Sequence, residues 1–355
     1  MIYLANRDGA ETVSPGAAAF VERHNAALTD AIRCGLANSI AFSAILGRAG
    51  LIEAFFVSLI GTIGYELNRN IIEGIGFDYG HTFKIFVYGG FFGLMLGLLL
   101  RIKENTPERS TERHLRYTGT LYSGAMALVG TVFTWVFFPM IVMDPPQSTQ
   151  PISTHAIYTA PISIMYGLAG STVICIGFSY FINSKLMVRD VIYGTIAGGI
   201  AVSSASYYIT NPVWAMLVGS VAGIIQAIGN AIEKKHSRNG KIVNTISFIL
   251  FGVQGIVGSA WASIWRAVII TRRDGLNFNL SALPSPVLDF ASAWISAALG
   301  IGFGLIAGIF VFCLARHERA DHFDDYTYWE KDDGLRYPSG GPLPAPIIDT
   351  QIGVK

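Results

Sequence analysis

Charged side chains are scarce in this sequence. Asp, Glu, Lys and Arg make up 14% of its 355 residues, whereas a soluble domain carries about a quarter. The 25 basic and 24 acidic residues nearly cancel, which excludes a nucleic-acid-binding protein that depends on a basic surface. Only three cysteines occur, all within apolar stretches. They are predicted to be small buried side chains, and neither a disulfide framework nor a cysteine metal site is expected.

Hydrophobic residues, by contrast, account for 52% of the chain. Such a content excludes an intrinsically disordered protein, which lacks the apolar surface needed to fold. The 39 glycines suit helices that pack closely within lipid, because small residues let helix backbones approach each other. We therefore predict an all-α polytopic membrane protein in contact with the lipid bilayer.

About nine segments are candidates for membrane-spanning helices. Such a helix needs about 20 mostly apolar residues, and the first segment is short while the sixth is rich in glycine. Turns containing Gly, Asn or Pro separate several of them. The candidates cover residues 31–46, 51–68, 83–100, 121–143, 162–182, 188–209, 212–232, 243–270 and 287–314.

The basic residues predict how these spans are oriented. Loops that follow odd-numbered spans carry 12 Lys and Arg residues, and loops that follow even-numbered spans carry 4. Basic loops stay on the cytosolic or matrix side, so the C-terminus is predicted there and the N-terminus opposite. The predicted organisation is a polar N-terminal extension (1–30), a membrane domain (31–316) and a polar C-terminal tail containing Pro and Gly (317–355).

Several segments, taken in order, resemble the ammonium transporter/Rhesus family, and specifically its Rhesus branch. The clearest is a glycine-rich helix that reads Ala197-Gly198-Gly199-Ile200-Ala201-Val202, similar to the family's A-G-G-V-A-V. The matches are collinear over roughly residues 30 to 316. The matching segments are 41–48, 88–94, 129–139, 190–202, 210–219 and 252–258.

The resemblance implies a fold of eleven helices, in which two inverted repeats of five are followed by one long helix. Inverted repeats place their site near the membrane midplane, between the two halves. Aligned in this way, the first span resembles the family's third helix. We therefore expect an inverted-repeat bundle of nine helices that lacks the first two.

The family's pore is where this sequence departs from the resemblance. Family members conduct ammonia past two facing histidines, which hydrogen-bond and relay protons where hydrocarbon cannot. Phe86 stands at the first histidine position. The second motif has a histidine at each end, and both of its positions are also phenylalanine, Phe248 and Phe251. Both pore histidines are therefore predicted to be lost.

The resemblance also locates a pore gate and an acidic residue. The family's two gate phenylalanines align near Ile141 and Arg33, so the gate is predicted to be lost as well. Asp78 is retained eight residues before Phe86. In the family this acidic residue helps shape the ammonium recruitment region, while an ordinary helix cap is the simpler interpretation here.

Other polar residues suggest no further chemistry. His81 lies three residues after Asp78 and is expected to form an exposed loop pair with it. Glu53 and Arg266 lie near span ends, where a charged group reaches the interface at low cost. No phosphate loop, nucleophile motif or metal-ligand spacing occurs. We therefore expect no catalytic residue, no metal and no cofactor, and the protein is not predicted to be an enzyme.

Two functions remain open. The first is a non-conducting structural or accessory subunit of a larger membrane complex, in which Phe86, Ile141, Phe248 and Phe251 fill the former pore. Its partners would be other membrane subunits that contact the flank of the first helix and the polar tails, and a homotrimer is not expected. A complex of the mitochondrial inner membrane is suspected, with the plasma membrane as the alternative. The second function is a divergent channel for ammonium, ammonia or carbon dioxide.

Overall fold

The structure, a computed structural model, describes residues 15–46, 49–75, 78–103, 121–143, 154–183, 188–209, 211–238, 247–272 and 286–314. Within these ranges the chain forms nine α-helices and no strand, so the predicted all-α bundle is confirmed. The helices are α1 (Pro15–Ser43), α2 (Leu51–Ile75), α3 (Tyr88–Lys103), α4 (Leu121–Val142), α5 (Thr154–Asn183), α6 (Val188–Ser203), α7 (Pro212–Arg238), α8 (Gln254–Arg272) and α9 (Pro286–Leu314).

Two of the helices begin with a π-helical turn. Segment π1 (Thr82–Val87) runs directly into α3, and segment π2 (Phe248–Val253) runs directly into α8. A π-helix places more residues in each turn than an α-helix and often marks a functional site. The two segments contact each other in the interior of the bundle.

Seven helical segments of the described chain are long and apolar enough to cross a membrane. The two exceptions among the nine predicted spans are α1 and α6. Helix α6 has 16 residues and is about 24 Å long, shorter than a hydrocarbon core of about 30 Å. Helix α1 has sufficient length, at 29 residues, but is less apolar because it carries Asp30 and Arg33.

The first helix also begins earlier than the sequence suggests. Helix α1 starts at Pro15, inside the segment 1–30 that was predicted to be a polar extension. The extension and the membrane domain therefore share a continuous helix. The predicted C-terminal tail, 317–355, lies outside the described residues, and the domain boundaries stay predictions.

The outer surface of the bundle suits a lipid environment. Helix α4 exposes a continuous apolar face that includes Val132, Phe133 and Met140. Helix α9 exposes Ile306, Ile309 and Phe310 in the same manner. Large apolar side chains that face outward on several helices are the expected pattern where the solvent is hydrocarbon.

The two halves of the bundle meet at a glycine contact. A Cβ atom added to Gly90 in α3 would lie 2.5 Å from the backbone nitrogen of Gly252 in π2. Gly90 therefore cannot carry a side chain without moving the backbone of π2, whereas a Cβ atom on Gly252 would lie 3.0 Å from the Phe248 ring. This contact fixes the distance between π1 and π2, and with it the separation of the two predicted pore positions.

Candidate functional site

Both predicted histidine positions lie on the π-helical turns. Phe86 belongs to π1 and Phe251 to π2. Their rings are nearly parallel, with an interplanar angle of 10° and a centroid distance of 5.9 Å. Two of the three positions that the resemblance aligns with histidines, Phe86 and Phe251, are therefore neighbours in an offset stack of phenyl rings.

A third ring completes the stack. Phe138, near the end of α4, lies 5.9 Å from the Phe86 ring at an interplanar angle of 3°. Phe86 is 5% exposed and Phe138 is 3% exposed. We call Phe86, Phe138 and Phe251 the phenyl cluster. It joins elements from both repeats into the main hydrophobic core.

The other two predicted pore residues take different places. Phe248 lies outside the phenyl cluster and packs edge-on against Phe91, with ring centroids 5.0 Å apart. Ile141 packs against the main core one turn after Phe138. Phe138 itself was missed by the sequence analysis, although it lies inside the matching segment 129–139, directly before Pro139. Its contact with Phe86 depends on how α4 packs, which the segment alone does not reveal.

Asp78 forms a cap at the start of π1. Its two carboxylate oxygens accept hydrogen bonds from three backbone N–H groups, at 3.0 Å from Thr82, 2.9 Å from Phe83 and 3.1 Å from Lys84. Burial raises the pKa of Asp78, and the Lys84 ammonium and these N–H donors act in the opposite direction. The geometry is that of the simpler interpretation, a helix cap.

The expected exposed pair of Asp78 and His81 is wrong, because both residues are buried. The turn after α6 covers this segment, and the Thr82 hydroxyl lies 2.6 Å from that of Ser203. His81 also has a positive φ of 46°, an uncommon conformation for a residue other than glycine. The backbone therefore enters π1 through a fixed, covered turn.

The two predicted gate positions meet at the end of α4. The Nε atom of Arg33 donates a hydrogen bond to the Ile141 carbonyl at 3.1 Å, and its Nη2 atom donates one to the Met143 carbonyl at 3.1 Å. Arg33 is 2% exposed. A buried arginine bound to backbone carbonyls thus stands where the resemblance places a phenylalanine.

Arg33 belongs to a chain of charged side chains at this end of the bundle. Asp30 lies 3.6 Å from Arg33 and 3.2 Å from Arg69. Glu73 lies 3.2 Å from both Arg69 and Lys84. The chain connects α1, α2 and π1, and its alternating signs leave no large excess of either charge.

The expectation for Arg266 and Glu53, charges reaching toward the interface, is also wrong. Arg266 is 1% exposed and lies 2.7 Å from Asp289, and it also donates a hydrogen bond to the Tyr208 hydroxyl. The buried Glu53 carboxylate accepts a hydrogen bond from the backbone N–H of Gly50 at 3.0 Å. Partners within the protein compensate these charges, so exposure is not required.

The described part of the chain contains no group of three His, Cys, Asp or Glu side chains that could hold a metal ion. Cys34 and Cys175 are buried as predicted, whereas Cys313 is exposed on α9. The absence of cofactors and of catalysis stays a prediction.

Two helical halves that meet through irregular helical turns near the middle of a bundle are typical of membrane transporters and channels. A profile of the Ammonium Transporter Family matches residues 2–319. The chain therefore belongs to the ammonium transporter family.

Individual relatives agree with this assignment. The chain is 27% identical to ammonium transporter Rh type B of Danio rerio over 319 residues, which cover 84% of this chain and 67% of that protein. It is 26% identical to ammonium transporter Rh type A of Bos taurus over 307 residues, which cover 84% of this chain and 67% of that protein. The chain thus spans about two thirds of the length of these relatives.

Solved structures share the fold. The Rh50 protein of Nitrosomonas europaea gives a TM-score of 0.65 at 20% identity, with 85% of this chain and 74% of that chain covered. Mep2 of Saccharomyces cerevisiae gives 0.62 at 16% identity, with 86% and 69% covered. The predicted inverted-repeat fold of this family is therefore confirmed.

Proposed function

We propose that this family member does not conduct ammonium and serves as a structural or accessory subunit of a larger membrane assembly. The observation that carries the proposal is the phenyl cluster. Three stacked rings from π1, α4 and π2 include Phe86 and Phe251, which the resemblance aligns with pore histidines. No catalysed reaction is part of the proposal.

An ammonium ion needs polar groups along any path through the bundle. A cation that leaves water requires acceptors or other polar groups to replace its hydration shell. Three nearly parallel phenyl rings with centroids 5.9 Å apart offer no hydrogen-bond acceptor to replace that shell. Losing both imidazoles also removes the groups that could take and return a proton.

The outer face of α1 supports contact with another protein. A groove of about 500 Å³ beside α1 and α2 is lined by Gly35, Asn38, Ser39, Ser43 and Ser58 together with the apolar side chains of Phe42 and Leu46. Small residues favour close helix–helix packing in a membrane, so a helix of another subunit suits this groove better than lipid chains do.

The proposed assembly is hetero-oligomeric, and the mitochondrial inner membrane is the proposed location, with the plasma membrane as the alternative. The C-terminus would face the matrix or the cytosol. The orientation rests on the distribution of basic residues in the loops, and the hetero-oligomer rests on the small residues that line the groove beside α1.

Flux and native assembly test the proposal together. In proteoliposomes that contain a pH-sensitive dye, an ammonium gradient should produce no faster pH change than in empty vesicles, while a conducting family member serves as positive control. Mild solubilisation of native membranes, followed by native electrophoresis, should place the protein in a complex with unrelated subunits. Clear ammonia flux, or a complex containing only this chain, would contradict the proposal.

Passage of a neutral gas is the second candidate function. The relatives matched over 84% of this chain are named ammonium transporters, and neutral ammonia or carbon dioxide needs only an apolar path. The discriminating measurement uses the same vesicles with a carbon dioxide gradient as well as an ammonia gradient. Flux above empty vesicles that falls when Phe86 is replaced by Trp would favour this candidate.

A further inference from the structure

We infer that Arg33 forms a second barrier to cations on the former pathway, in series with the phenyl cluster. The inference rests on the proposed function, because it concerns why the pathway stays closed. It assigns a role to a buried cation that the family pattern does not supply.

The guanidinium group of Arg33 lies near the phenyl cluster. Arg33 binds the carbonyl oxygens of Ile141 and Met143, which follow Phe138 by three and five residues. At 1.5 Å per residue along a helix, Ile141 lies about 4.5 Å beyond Phe138. The guanidinium group therefore sits about one turn from the phenyl cluster, toward the C-terminal end of α4.

Backbone carbonyls and a carboxylate hold the guanidinium group in this position. The last carbonyls of a helix have no partner within the helix, and the helix dipole makes this end negative. Two hydrogen bonds use these carbonyls, and Asp30 lies 3.6 Å from the other side of the group. Asp30 is held in turn by Arg69 at 3.2 Å, so the cation is fixed from both sides.

In this position Arg33 opposes the binding of a second cation. Backbone carbonyls are the groups that could replace the hydration shell of an ammonium ion at this point. Arg33 already occupies both of them, and its own charge repels a second cation at close range. Opening the phenyl cluster alone should therefore leave the pathway closed to ammonium.

The test restores the pore and then removes the second barrier. The first variant combines Phe86→His with Phe251→His, and the second adds Arg33→Met, which keeps the side-chain length without the charge. Ammonium-driven pH change and current across proteoliposomes are measured. We expect the paired histidine variant to stay within twofold of empty vesicles, and the triple variant to exceed it at least tenfold.

Arg69→Met in the histidine background is the matched control. It breaks the same ion chain at Asp30 but removes no bond to the α4 carbonyls, so it should leave the flux low. Arg33→Leu, which removes both the N–H donors and the charge, serves as a second variant in case Arg33→Met fails to fold. Monodisperse elution and a thermal unfolding transition establish that each variant is folded.

Each alternative result overturns the inference. The paired histidine variant could conduct as well as the triple variant, which would make Arg33 irrelevant. Folded variants without the Arg33 charge could remain closed, or Arg69→Met could open the pathway equally. Flux through the unmodified protein is a different outcome, because it would contradict the proposed function itself.

Discussion

Single residues show most directly how this interior tolerates polar groups. Asn230 is buried and donates a hydrogen bond to Asp190 at 3.0 Å, while its own oxygen accepts one from Gln226 at 2.9 Å. Asn68 is equally buried, yet its side-chain amide has no hydrogen-bond partner among the described residues. A buried polar group stabilises a fold only when its hydrogen bonds are made.

Replacing each of these asparagines with leucine should therefore have different effects. Asn230→Leu leaves a buried carboxylate without one of its donors and should lower the free energy of unfolding by about 1–3 kcal/mol. Asn68→Leu removes an uncompensated amide at similar volume and should be neutral or stabilising. Thermal unfolding in detergent compares the two variants with the unmodified protein, and equal destabilisation by both would contradict the argument.

At the scale of elements, the contact between π1, α3 and π2 determines the geometry of the site. Gly90 and Gly252 approach backbone to backbone, which brings Phe86 and Phe251 within stacking distance. The distance between Phe86 and Phe251 depends on this contact between helical segments, which cannot change its conformation as easily as a loop could. A small increase in side-chain size at the contact should therefore be costly.

Gly90→Ala tests this dependence. The added methyl group would meet the Gly252 backbone at 2.5 Å, and overpacking of this kind costs about 1–3 kcal/mol. Gly177→Ala in α5 is the control, because nothing lies within 4 Å of its added Cβ and alanine favours a helix by up to about 1 kcal/mol. Thermal unfolding should separate the two variants, and a neutral Gly90→Ala variant would show that the halves can separate.

The sequence predicts the helices of this protein better than it predicts the contacts of the candidate site. Apolar run length predicts most helices, because a bilayer fixes how many residues a span needs. It is less informative for α1, where Asp30 and Arg33 are compensated by partners distant in the chain. That phenylalanines stand at the histidine positions stays a prediction from the aligned motifs. The contribution of Phe138 and the bonds of Arg33 to the α4 carbonyls depend on tertiary packing, which a linear pattern does not contain.

On the scale of the whole molecule, the charged end of the bundle is predicted to face away from the cytosol or matrix. Asp30 and Arg33 lie on α1, Arg69 and Glu73 near the end of α2, and Lys84 in π1 before α3. Helix α4 ends at the Arg33 contact, so the phenyl cluster and the ion chain lie near the same end of α4. The loops richest in basic residues follow α3 and α7 and belong to the opposite side.

Site-directed labelling tests this orientation. One labelling variant carries Ser148→Cys, after α4 in the sequence, and the other carries Ser110→Cys, after α3. Both variants also carry Cys313→Ala, and they retain the buried Cys34 and Cys175. In vesicles whose outer face corresponds to the side opposite the cytosol or matrix, a membrane-impermeant maleimide should label Ser148→Cys and leave Ser110→Cys unlabelled until detergent is added. Loops that follow odd-numbered spans carry 12 basic residues and loops that follow even-numbered spans carry 4. This difference is expected to retain the α3–α4 loop on the cytosolic or matrix side. The reverse pattern would place the charged end of the bundle on the matrix or cytosolic side, where it would face any ammonium released there.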